Sequence, residues 1–125
     1  MKNTSASKPA ISIDFKKDRI RIYKRTLHSI GDPEYILLLI NPGERTLAIL
    51  RSDCSDMRAY RLPRHRFKDK QSFEITSKSL MRNLLNMCND LQDNRLYRIY
   101  GEIIPNESIA QFYLTESLVA YGTRG

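Results

Sequence analysis

Cysteine is scarce in this chain of 125 residues: Cys54 and Cys88 stand far apart, in a spacing that forms neither a disulfide framework nor a CxxC metal pair. Both read as free thiols. Long apolar runs are also missing, since the longest, Tyr35 to Ile40, falls far short of the roughly 20 residues that span a bilayer. The start, Met1 to Lys8, has no apolar stretch of the signal-peptide kind, so the expectation is a cytoplasmic protein with no membrane partner. Histidine occurs only as His28 and His65, without HxxxH spacing, which leaves no metal and no cofactor to expect. Ser52 and Ser55 lack a GxSxG elbow, and no glycine-rich phosphate loop is present. Cys54 is flanked by Asp53 and Asp56, whose charges disfavour the thiolate that a nucleophile needs. Asp53, Asp56 and Glu74 follow no magnesium-ligand spacing. No catalytic residue is nominated, and an enzyme is not expected.

What remains is the mixture of an ordinary globular domain, 41% hydrophobic and 28% charged, long enough to bury a core without disulfides or a structural metal. Residues 1–9 read as a mobile N-terminus and 10–125 as a single domain. Apolar and polar residues alternate over Ala10 to Phe15 and again at Ile20 and Ile22, the pattern of strands with one buried face. Lys24 to Ile30 reads as a short helix closing at Gly31. Tyr35 to Ile40 and Thr46 to Leu50 flank the turn Asn41-Pro42-Gly43-Glu44, the strongest hairpin signal in the sequence. From Arg51 to Gln71 the pattern breaks into a basic connector with at most a short strand near Ala59 to Leu62. Phe73 and Ile75 mark a further strand. Thr76 or Ser77 then caps a helix carrying Leu80, Met81, Leu84, Leu85, Cys88 and Leu91. Leu96 to Ile104 and Ser108 to Leu114 predict a second hairpin through Pro105-Asn106, with Ser117 to Gly125 as a short extension.

The fold class this predicts is α+β: antiparallel hairpins with two short helices. Residues 10–53 and 72–116 share one order of elements and align locally, Ile22 to Leu27 with Ile75 to Leu80 and Leu47 to Leu50 with Ile109 to Phe112. An internal β-α-β-β duplication would explain this, and so would convergence of two unrelated halves on short patterns.

Asp14 to Asp53, with its Asp18-Arg19-Ile20-Arg21-Ile22 strand, the Lys24 to Gly31 turn of helix and the Asp32 to Arg51 hairpin, resembles the swapped-hairpin DNA-binding family of AbrB-type regulators, MazE-type antitoxins and MraZ regulators. The resemblance implies DNA contact by Arg19, Arg21, Lys24 and Arg25. In the second half Ser72 and Glu74 stand where Arg19 and Arg21 stand in the first.

Charge supports the same direction. Lysine and arginine outnumber acids 21 to 14, a formal charge of +7, which favours polyanions or acidic surfaces as partners. Lys16, Lys17, Arg19, Arg21, Lys24 and Arg25 form one basic cluster. Arg58, Arg61, Arg64, Arg66, Lys68 and Lys70 form another, interleaved with Tyr60, His65 and Phe67. Phosphates are held by charge and bases by stacking, so these clusters are the candidate nucleic-acid-binding residues, although basic stretches also serve simply as solvated surface. The expectation is a non-enzymatic nucleic-acid-binding protein, a DNA-binding transcriptional regulator. The alternative is a protein-interaction module, such as a mobile-element inhibitor or antitoxin acting on an acidic or nucleic-acid-binding protein. A homodimer is compatible with either.

Overall fold

In a computed structural model of the chain, residues 8–63, 71–104, 106–116 and 118–119 are described. The fold is α+β, built mostly of antiparallel strands with two helices. The elements are β1 (Ala10–Asp14), β2 (Arg19–Tyr23), α1 (Lys24–Ser29), β3 (Tyr35–Asn41), β4 (Thr46–Ser52), β5 (Tyr60–Arg61), β6 (Ser72–Thr76), α2 (Lys78–Met87), β7 (Leu96–Ile104), β8 (Ile109–Tyr113) and β9 (Leu118–Val119), with a 3-10 turn at Leu114–Glu116. The strands form one curled, half-barrel sheet in the order β5-β3-β4-β8-β7-β1-β2-β6, and β9 also pairs with β7.

Alternation decides which side of each strand is dry. Ile11, Ile13, Ile20, Ile22, Ile36, Leu47, Ile49, Ile99 and Phe112 turn to the concave side and are fully buried. The same core takes Leu27 from α1 and Leu84 from α2, so both helices cover this one face. The short α1 has no side-chain cap. It is fixed by buried Thr26, whose hydroxyl donates to the Ala10 carbonyl at 2.7 Å and accepts the Ala10 N–H at 2.8 Å. It closes as expected at Gly31, which takes a φ of 92° that a Cβ would disfavour. α2 is capped by Ser77, whose hydroxyl accepts the Leu80 N–H at 3.2 Å.

α2 is shorter than its apolar spacing predicts, because the helix stops at Met87 and Cys88 turns to an extended conformation. Leu91 is buried all the same, reaching the core from the following loop. Pro105, the expected turn residue of the second hairpin, lies outside the described residues, as do residues 1–7 of the expected mobile N-terminus.

Two seams join the front and back of the chain. β2 pairs with β6 around Arg21 opposite Glu74, and β4 pairs with β8 through Leu47 opposite Phe112 and Leu50 opposite Ile109. β7 sits between β8 and β1, using Gly101 to Ile104 against β8 and Leu96 to Tyr100 against β1.

Candidate nucleic-acid interface

The front basic cluster is divided over three places. On β2, burying Ile20 and Ile22 forces Arg19 and Arg21 to the convex side of the sheet, where the β6 register brings Glu74 between them. Arg19 Nη1 meets Glu74 Oε1 at 3.1 Å and Arg21 Nε meets Oε2 at 2.9 Å, while Asp14 approaches Arg19 Nε at 3.8 Å. One carboxylate thus discharges two arginines. On the same face the Arg98 guanidinium lies 5.2 Å from the Tyr23 ring centre and donates to its hydroxyl at 3.0 Å. The hydroxyls of Tyr100 and Tyr23 hold the Arg98 pKa above its ordinary value, against the opposing effect of burial.

Lys16 and Lys17 occupy the turn between β1 and β2. Asp14 shapes that turn by accepting both backbone N–H groups, at 3.0 and 3.1 Å, which leaves the two lysine side chains in solvent. Asp18 follows with a φ of 54°, and its carbonyl accepts the Ser77 N–H at 2.9 Å, docking the start of α2 against the turn. Since α2 buries Met81 and Leu84, its i,i+4 pair Lys78 and Arg82 projects outward beside Lys16. Lys16, Lys78 and Arg82 border one open depression of about 260 Å³, with Phe15, Met81 and Leu85 on its apolar side. Asp18, Asp93 and Asn94 complete the lining. Among the described residues, the side chains of Lys16, Lys78 and Arg82 make no hydrogen bond or ion pair. That separates them from Arg19 and Arg21.

Lys24 and Arg25 begin α1 at the opposite end of β2 from this turn, roughly 20 Å away at about 3.3 Å per strand residue. Arg25 Nε donates to the Lys8 carbonyl at 3.0 Å. Of the second cluster, Arg58 is held by Asp56 through Nε at 3.2 Å and Nη2 at 3.1 Å, and this guanidinium keeps the Asp56 carboxyl below the usual carboxylate range. Arg61 is exposed on the short strand β5. Arg64, Arg66, Lys68 and Lys70 lie outside the described residues.

The structure therefore gathers Lys16 with two cations that charge clustering along the sequence passes over. Lys78 and Arg82 are isolated in sequence, but the signal was there: they stand one helical turn apart in Ser77 to Asn89, a segment without a single acid. Cys54 is exposed and Cys88 buried, both unpaired. Compared with protein-family models, with curated proteins and with solved structures, the chain matches none.

Proposed function

We propose that this chain is a non-enzymatic nucleic-acid-binding protein, with DNA as its first target and transcriptional regulation as its role. The observation that carries the reading is the convergence of Lys16, Lys78 and Arg82 on one depression, where none of the three forms an ion pair with a described residue. Lys17 extends this unpaired surface along the same turn. Cations not discharged by protein carboxylates are the ones that gain most by replacing the counterions of a phosphate backbone. Arg19 and Arg21, which the swapped-hairpin resemblance assigns to DNA, would have to leave Glu74 to reach a base edge, so the reading gives them a smaller share.

Binding to a DNA duplex, followed by fluorescence anisotropy over a range of salt, tests this. Four phosphate contacts by Lys16, Lys17, Lys78 and Arg82 predict a slope of log affinity on log salt near −3.6, at roughly −0.9 per contact, and the double variant Lys78→Ala/Arg82→Ala should flatten it by about 1.8. An unchanged slope, or no binding at low salt, would reject the reading.

One observation favours the protein-interaction module as second reading. Leu37, Leu39, Leu50, Ile104 and Ile109 share the convex face of β3, β4, β7 and β8, and Leu39 is 40% exposed. Retention by a protein partner after nuclease treatment would support it.

We further propose that the two halves arose by duplication. Aligning Ile22 with Ile75 exchanges the pair Ile20–Ile75 for Ile22–Phe73, and aligning Leu47 with Ile109 exchanges Leu47–Phe112 for Leu50–Ile109. Each seam maps onto itself when the halves are interchanged, as a pseudo-twofold axis requires. β5 meets β3 on the edge opposite β4, as β1 meets β7 on the edge opposite β8.

A further inference from the structure

A surface that binds only phosphate gains nothing from carboxylates, because each one weakens the attraction of the cations beside it. The depression at the start of α2 nevertheless places Asp18 and Asp93 among Lys16, Lys78 and Arg82. Ion pairing does not account for them. The Asp18 carboxylate has no partner among the described residues, and Asp93 accepts only the neighbouring Asn94 N–H, at 2.9 Å. Acceptors left open in this way suit a ligand that brings N–H donors as well as negative charge. The third component of the depression is a small apolar patch, offered by half-buried Leu85 and backed by Phe15 and Met81, which are 3% and 2% exposed. A flat apolar face, an edge of N–H donors and an attached phosphate occur together in one chemical unit, the nucleotide. Size agrees, since about 260 Å³ lies just below the roughly 300–1,000 Å³ of sites that take a whole small molecule, as suits one unit of a longer chain.

We infer that the depression seats one unstacked nucleotide of a single strand. The base lies over Leu85, with Phe15 and Met81 behind it, its donor edge turns to Asp18 and Asp93, and the adjoining phosphate meets Lys16, Lys78 and Arg82. This rests on the nucleic-acid reading above and adds the form of nucleic acid and the base preference. A duplex keeps its Watson–Crick edges paired and its base faces stacked, so it cannot lay a base into the depression and meets it mainly through its backbone. Carboxylates select bases rich in N–H donors. Guanine offers an adjacent ring N–H and amino group, whereas thymine offers a lone N–H between two carbonyls.

The test uses the whole protein and three labelled probes: a short oligo-dT strand, the same strand with one central guanine, and the blunt duplex of the latter. The guanine strand should bind about tenfold more tightly than oligo-dT, the order expected of one well-placed base contact, and more tightly than the duplex. In Asp18→Asn/Asp93→Asn that preference should fall away while affinity for oligo-dT holds or rises, because phosphate attraction loses its opposing charges. Guanine preference persisting in this variant would overturn the seat. Equal affinity for all three probes, with salt dependence retained, would overturn the seat and leave the nucleic-acid reading standing, whereas no binding of any probe would overturn both.

Discussion

Among the described residues Glu74 carries more of the sheet's charge balance than any other acid on the convex face, because Arg19 and Arg21 both end on it. Replacing Arg21 by Glu sets two carboxylates directly opposite each other, and replacing Glu74 by Arg gathers three guanidinium groups. Each change should cost about 1 kcal/mol, the upper end for a cross-strand charge pair near the surface. The exchange Arg21→Glu/Glu74→Arg restores the pair in mirror image. It should recover a good part of the loss in a denaturant-unfolding cycle, and simple additivity of the two single losses would show that Arg21 and Glu74 do not interact. None of this was legible in the sequence. Arg19 and Arg21 read as a free basic strand, since the residue that neutralises them lies more than fifty positions away and only the sheet register brings it close.

Individual elements are another matter. β1, β2 and the β3–β4 hairpin lie where alternation and the Asn41-Pro42-Gly43-Glu44 turn put them, because these signals are local and the buried face enforces period two. α2 follows its leucine stripe, and fully buried Leu84 is its anchor. Leu84→Ala should cost roughly 2 to 5 kcal/mol on unfolding, the range for a leucine truncated in a close-packed core. Gly101 is a contrasting case in β7, where a Cβ would run into the Gln111 carbonyl and within 2.6 Å of the Phe112 ring. Gly101→Ala should therefore destabilise by about 1 to 3 kcal/mol through overpacking, despite the better strand propensity of alanine. A loss in Leu84→Ala without one in Gly101→Ala would mean that β7 and β8 part easily. The candidate site was less legible than the elements. Lys16 and Lys17 stood out as part of a run, whereas Lys78 and Arg82 join them through the β2–β6 pairing and the Asp18 carbonyl that receives the Ser77 N–H. Contacts made across long stretches of chain leave no periodic trace.

At the scale of the molecule, the charges at the β2–β6 seam bear on how the halves recognise each other. If segments 1–63 and 64–125 are expressed apart, self-pairing of the first would set Arg21 against its own copy, and self-pairing of the second would do the same to Glu74. The two should instead associate one to one, and native mass spectrometry of the mixture would read this; homodimers in preference to the mixed pair would count against a seam that selects by charge. β7 adds a constraint of order in time. It lies between strands from both ends of the chain, with Ala10 opposite Tyr100 and Ile103 opposite Ala110. During synthesis, β1 emerges from the ribosome some eighty-five residues ahead of the strand that will cover its second edge. At about 5 to 20 residues per second it waits several seconds, half paired and rich in isoleucine. Chaperone capture, and the yield of soluble protein when translation slows between β1 and β7, should be governed by that interval rather than by the stability of the finished fold.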